Sequence, residues 1–304
     1  MAIGPGRSTF EEHRAVLLGL AYRLLGSMHD AEDVVQDAWL RWAAEDRSAV
    51  RDPRAFLVTV VTRLALDQLK AARTTRESYV GPWLPEPVDT ARLGPLDTAE
   101  LRDTVSFATL YALERLTPPE RAVFVLREAF ELPYLDIAQV LGLTTVHCRQ
   151  LLMRARHRIA GGRAGARVTP EEHVRLLTGF LAAAERGDLS GLLELLADDV
   201  VAWNDGGGRV RAALRPIVGR QKVAAFVVGL VRRFGGAAAQ LLDVNGQPAL
   251  RTQIAGEEQL VAVEIRAGRI RAIYAVLNPD KLRLLGASSL RLAQEEGRPK
   301  AEGW

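Results

Sequence analysis

The chain has 304 residues, enough for two or three compact units, and its 48% hydrophobic and 25% charged content excludes wholesale disorder. A net charge of +3 with an isoelectric point near 9.2 permits a polyanionic partner without requiring one. The single cysteine, Cys148, excludes an internal disulfide and a multi-cysteine zinc cluster, and no stretch reaches the roughly 18 apolar residues that span a bilayer, so a reducing, cytoplasmic setting without membrane, metal or cofactor is expected.

Residues 8–76 read as helical, with apolar residues every three or four positions. In HDAEDVVQDAWLRW, Asp30 is the expected N-cap, and Ala31, Val34, Val35, Ala38, Trp39 and Trp42 form an apolar side. The opposite side is acidic. Asp33 and Asp37 lie one turn apart, a like-charge spacing that disfavours an isolated helix by about 0.2–0.5 kcal/mol and that a basic partner would relieve. DPRAFLVTVVTRLALDQLKAAR follows as a helix with Leu57, Val60, Val61 and Leu64 inside and Arg63, Lys70 and Arg73 outside. Residues 77–96 are a linker: GPWLPEPVDTARLGP is too rich in proline and glycine for a continuous helix, and Trp83, Leu84 and Pro85 make a stiff apolar anchor in it.

Residues 97–162 return to helix and close on GGRAGAR. Within them LTPPERAVFVLREAFEL starts with Thr117 as N-cap, Pro118 in the first turn and Glu120 at the capping-box position, and should bury Leu116, Val123, Phe124 and Leu126. YLDIAQVLGLTTVHCRQLLMRARHRI then parses as a helix-turn-helix, with Ile137, Ala138 and Leu141 inward, Gly142 at the turn and Thr144 capping the second helix. Cys148, Leu152, Ala155 and Ile159 form one apolar stripe, where Cys148 is simply core packing. The other face offers Thr145, His147, Arg149, Gln150, Arg154 and Arg156, side chains that reach base edges and phosphates in a major groove. Arg149 and Gln150, near the helix start, are placed for bases, and the later arginines for the backbone.

Beyond Thr169 the pattern changes to α+β over residues 168–286, with 287–304 as a tail. Two helices, 170–186 and 189–196, precede strand-like segments at 200–204, 210–214, 238–244, 249–254, 259–265 and 269–276. Between them, Asp205, Gly206, Gly207, Gly208 and Arg209 read equally as a hairpin turn or as a glycine turn that lets another backbone approach. They do not make a phosphate loop, because no Gly-Lys-Ser/Thr follows.

An acidic amphipathic helix, a basic helix, a linker and a helix-turn-helix, in that order, resemble an extracytoplasmic-function sigma factor of the sigma-70 family over roughly the first 160 residues. The resemblance implies an alternative sigma factor that binds core RNA polymerase, at its β′ coiled coil and β flap, and starts transcription at promoter DNA. It implies polymerase contacts at Asp33, Gln36 and Asp37, minus-ten contacts at Arg54, Arg63, Lys70 and Arg73, and minus-thirty-five contacts on the recognition helix. Opening DNA needs a pocket for an unstacked base and cations for the displaced strand. The chain departs from the family pattern at VVTRLALD, where Arg63 stands in place of the frequent asparagine, which leaves the base contacts of that helix open.

The C-terminal pattern resembles the SnoaL-like branch of the NTF2-like cone fold. The implied architecture is therefore two all-α sigma domains followed by an α+β cone domain. WLPEP in the linker, DGGGR at 205–209 and NPDKL at 278–282 together resemble the sigma subgroup that carries such an extension. The resemblance implies regulation in cis through contacts among Trp83, Leu84, Pro85, Asp205, Gly206, Gly207, Gly208, Arg209, Asn278, Pro279, Asp280 and Lys281, and no enzymatic role. Two rivals stand beside it. Cone folds often enclose pockets, so Trp203, Asp205 and Tyr274 would line a site for a small ligand or for catalysis, and the whole chain would alternatively be a one-component DNA-binding regulator.

Overall fold

The computed structural model describes residues 5–46, 50–93, 96, 99–160, 168–235 and 239–285. The expectations for GGRAGAR, for Ala238 and for the tail at 287–304 lie outside these residues, as does the side chain of Arg73.

The first helical block is α1 (Pro5–Leu25), α2 (Met28–Ala44) and α3 (Pro53–Glu77). Helix α2 begins two residues before the expected cap: the Ser27 side chain accepts the Asp30 N–H at 3.2 Å. Asp30 is therefore a first-turn acid favoured by the helix dipole rather than the N-cap. The second block is α4 (Ala99–Asp103), α5 (Phe107–Leu113), α6 (Pro118–Glu128), α7 (Tyr134–Leu141) and α8 (Thr145–Ala160). Thr117 and Glu120 close the capping box of α6, and Gly142 turns the chain between α7 and α8 at φ 66°, in the left-handed region. The stripe Cys148, Leu152, Ala155 and Ile159 is buried, and burial pushes the Cys148 thiol pKa up.

The two blocks do not keep separate cores. One continuous apolar cluster runs from Phe10 and Leu17 of α1 through Trp42 and Leu57 to Phe124, Ile137 and Leu152. Arg23 of α1 lies in it, donating to the Thr104 hydroxyl at 3.0 Å, and burial lowers its pKa to about 10. Burying so many side chains between the blocks makes them one body in this state.

The remaining elements are α9 (Pro170–Glu185), α10 (Leu189–Leu195), β1 (Leu196–Asp205), β2 (Ile217–Val218), α11 (Arg220–Phe234), β3 (Gln240–Val244), β4 (Gln247–Ile254), β5 (Glu257–Arg266), β6 (Arg269–Val276) and α12 (Pro279–Leu282). The sheet order is β2-β1-β6-β5-β4-β3, with β1 parallel to β6 and the other neighbours antiparallel. Two expectations need correction. Residues 210–214 form no strand, because β1 already pairs with β6 on one edge and its other edge is taken by Ile217 and Val218. Helix α11 was not anticipated from its valine-rich sequence; it forms because Val223, Ala224 and Val228 share the face that meets the sheet.

Side chains alternate across the strands, so the sheet has two buried faces. Val200, Ala202, Leu241, Leu250, Val263 and Ile273 pack under α9, α10 and α11. Leu242, Ala249, Leu260, Ala262, Tyr274 and Val276 point the other way, where the linker, α5 and α12 cover them.

Candidate functional site

The linker runs across that second face and is clasped there. Asp205 ends β1 and is fully buried. Its carboxylate accepts the Tyr79 hydroxyl at 2.6 Å, the Leu84 N–H at 2.8 Å and the Lys281 ammonium at 2.7 Å. Its carbonyl accepts the N–H groups of Leu277 and Asn278 at 2.8 and 2.9 Å. Lys281 also donates to the Leu84 carbonyl, and its ammonium lies 3.3 Å from the centre of the Trp83 ring. Two buried ions are tolerated here because each gains hydrogen bonds beyond the pair itself. Burial first, and then the bond to Asp205, raises the Tyr79 hydroxyl pKa and keeps it a donor.

Of the two readings of DGGGR, close approach is the one adopted. Gly207 and Gly208 take φ of 58° and 70°, and a Cβ on Gly207 would collide with the Asn278 amide and the Tyr79 hydroxyl. The turn closes when the Arg209 N–H reaches the Gly206 carbonyl at 2.9 Å. Arg209 then pairs with Asp280 at 3.2 Å, and Asn278 caps α12 by accepting the Asp280 N–H at 3.0 Å, with Pro279 in the first turn. The predicted contact set thus converges, apart from Pro85, which faces Gly26 of the first block.

Several members of this interface were missed. Glu86 caps α2, accepting the N–H groups of Met28 at 2.6 Å and His29 at 3.3 Å and the Ser27 hydroxyl at 3.0 Å. Asn245, in the β3–β4 turn at φ 56°, is fully buried: it accepts the Val88 N–H at 3.0 Å and donates to the Val105 carbonyl at 3.0 Å and to the Tyr22 hydroxyl. Its sequence signal, Asn-Gly between strands, spells a hairpin turn and says nothing of partners far along the chain.

The expected pocket is corrected by the same face. Trp203 and Tyr274 stack at 5.3 Å between ring centres, and Tyr111 and Phe107 of α5 lie against them at 5.1 and 6.0 Å. With Asp205 under the linker, none of the three opens onto the side enclosed by α9, α10 and α11. The cause is strand register: these residues alternate with Val200, Ala202 and Ile273, which fill that side.

On the helical blocks, Asp33, Gln36 and Asp37 share the exposed side of α2, and Asp33 meets His29 at 3.8 Å. Arg54 is exposed at the start of α3, but nine residues separate it from Arg63, about half a turn out of phase, so it faces away from Arg63 and Lys70. Lys70 pairs with Asp67 at 2.9 Å. Arg63 does not simply face solvent, as expected: its guanidinium donates to the Val140 carbonyl at 3.1 Å and the Gln139 carbonyl at 3.4 Å, at the end of α7. Carbonyls at a helix C-terminus lack intrahelical partners and attract a cation.

On α8 the six candidates are gathered on the solvent side, with Thr145 half-buried. Arg149 lies over the Tyr134 ring at 5.2 Å, Arg154 approaches Glu120 at 3.8 Å, and Arg156 meets Glu128 at 2.7 Å. Thr144 caps the helix through the His147 N–H at 3.2 Å. Among the described residues no cluster of three metal-ligating side chains occurs, and no helix is long and apolar enough to cross a membrane.

Comparison with known proteins agrees with this layout. Family models match as sigma-70 region 2 at residues 9–75, sigma-70 region 4 at 106–159 and SnoaL-like domain at 177–298. The chain is 39% identical over 288 residues to the ECF RNA polymerase sigma factor SigJ of Mycobacterium tuberculosis, covering 90% of this chain and 92% of the relative. It is 36% identical over 286 residues to a probable ECF RNA polymerase sigma factor, SigI, of the same organism, covering 91% and 95%. The crystal structure of the M. tuberculosis extracytoplasmic function sigma factor SigJ aligns at a TM-score of 0.74 and 37% identity, covering 90% of this chain and 97% of that one.

Proposed function

Because the chain belongs to the extracytoplasmic-function RNA polymerase sigma factors, we propose that it is held in a closed state by its own SnoaL-like domain and must open to engage a promoter. Core RNA polymerase and promoter DNA are the partners of this family's activity, and the likeness points to non-enzymatic initiation. The one-component regulator is not favoured, since the similarity to sigma factors runs over nine-tenths of the chain. The exposed acids Asp33 and Asp37, with Gln36, dock on the β′ coiled coil, the second block meets the β flap, and the work is done in the cytoplasm, where polymerase is.

The observation that carries the closed reading is Arg63. It belongs to the helix expected at the minus-ten element, together with Arg54, Lys70 and Arg73, yet it hydrogen-bonds α7 of the helix-turn-helix at 3.1 Å. The two promoter elements lie about 25 base pairs, roughly 80 Å of duplex, apart. Both cannot be bound while α3 and α7 touch. The clasp on the linker, with Glu86 on α2 at one end and Asn245 at the other, supports the SnoaL-like domain as the lock rather than as a catalyst.

A chemical staple tests this. The full chain with core polymerase should yield promoter-specific transcripts, and absence of holoenzyme would end the sigma reading. In an Arg63→Cys, Gln139→Cys chain, a cleavable crosslink between α3 and α7 should abolish transcription, and cleaving it should restore the level of the uncrosslinked double variant. Equal transcription in both states would reject the closed arrangement.

A further inference from the structure

The face of α8 turned farthest from the protein is not the one its arginines occupy. At about 100° per residue, the buried line through Cys148, Leu152, Ala155 and Ile159 lies opposite Val146, Gln150, Met153 and His157. Arg149 and Arg156 stand on one flank of that outer line, and His147 and Arg154 on the other. The flanking arginines are engaged with the scaffold, Arg149 over Tyr134, Arg156 against Glu128 and Arg154 against Glu120. Val146 and Met153, by contrast, are 58% and 67% exposed.

Singly exposed apolar side chains are ordinary, but these two share one line of one helix, two turns apart. Residues 145–160 contain no aspartate or glutamate, so the strip carries Val146 and Met153 alternating with Gln150 and His157 along its centre and arginines at its edges. That charge arrangement fits a duplex groove, where phosphates line the rims and base edges the floor. On a groove floor the apolar feature is the thymine 5-methyl group, and the amide that pairs with adenine is that of glutamine or asparagine.

We propose that Val146 and Met153 are specificity-determining residues that read thymine methyl groups in the minus-thirty-five element, with Gln150 between them on an adenine. This rests on α8 being the helix that reads that element. Seven residues of helix span about 10 Å, or roughly three base-pair steps, so the two methyl groups should lie about three steps apart. Covering one methyl is worth about a threefold to fivefold gain in binding.

The test uses holoenzyme made from the full chain and core polymerase. Elements are selected from duplexes randomised across the minus-thirty-five region, and each selected thymine is then replaced by deoxyuridine, which removes only the methyl. Wild-type binding should fall about threefold to fivefold at two such positions, spaced about three steps. Val146→Ala should weaken binding to the same degree and become indifferent to uridine at one position, and Met153→Ala at the other. Indifference of the wild type to uridine everywhere overturns the proposal. So does an equal loss by both variants on thymine and uridine duplexes, which would place the two side chains against polymerase. If no element is selected at all, the sigma reading itself fails, a result separate from methyl blindness.

Discussion

The two faces of the six-stranded sheet are buried by different means. Beneath α9, α10 and α11 the contacts are mainly aliphatic, from Leu177 and Leu192 to Val263 and Ile273, joined by the Phe180 ring, all within the SnoaL-like domain. On the opposite face the covering comes from the linker and α5, and it adds stacked rings and a buried ion pair to aliphatic contacts. Aliphatic burial tolerates small shifts because it has no direction. Hydrogen-bonded ions tolerate almost none, since a partner displaced leaves a charge stranded. The first face therefore makes a domain, and the second makes a docking geometry that is either complete or lost.

Asp205→Ala should break the second face with the largest effect. It strands the Lys281 ammonium, at a cost of about 3–5 kcal/mol, and should make residues 78–96 sensitive to protease in the full chain. Adding Lys281→Met should recover much of that loss, and an unchanged cleavage pattern in the single variant would mean the ion pair is not the lock.

Leu177→Ala strikes the first face. A cavity there should cost about 2–4 kcal/mol, seen in urea unfolding of the SnoaL-like domain, while the linker stays protected until that domain melts. Early linker cleavage would show the faces to be one cooperative unit.

The smallest effect comes from acid on the same face. His173 of α9 is buried, with one ring nitrogen bonded to the Pro248 backbone and Nε2 unpartnered, and burial lowers its pKa from 6.5 to about 4. The unfolded chain therefore binds the extra proton between these values, so stability is full above pH 6.5 and falls as pH drops toward 4, by up to about 3 kcal/mol at the end of that window. At pH 6 the loss is only a few tenths of that. His173→Gln should flatten the difference in melting temperature between pH 7 and pH 5. An unaltered pH slope would assign the acid sensitivity to carboxylates instead.

Much of the site is written in local sequence. The capping box of α6, the glycine turn before α8 and the apolar stripe ending at Ile159 are spaced by helix geometry, so a reader of the chain finds them unaided. DGGGR, WLPEP and NPDKL are picked out as an interdomain set only through the resemblance to a sigma subgroup; Leu84 and Trp83 do meet Asp205 and Lys281, while Pro85 faces Gly26. Less legible were Glu86, Asn245, Phe107 and Tyr111, whose partners lie up to 223 positions away. Each also has an ordinary local role, as a loop acid, a turn residue or a helix apolar, which hides the distant one.

Periodicity, caps and turns thus determined the helical blocks, the recognition helix, the α+β class of the third domain and the face on which each residue of a helix falls. Only the folded chain decided that the two helical blocks share a core, that Arg63 closes onto α7, and that Trp203 and Tyr274 face α5 rather than a pocket. The reason is range: backbone geometry couples residues a few positions apart, whereas which face meets which depends on the summed burial of segments that no local pattern brings together.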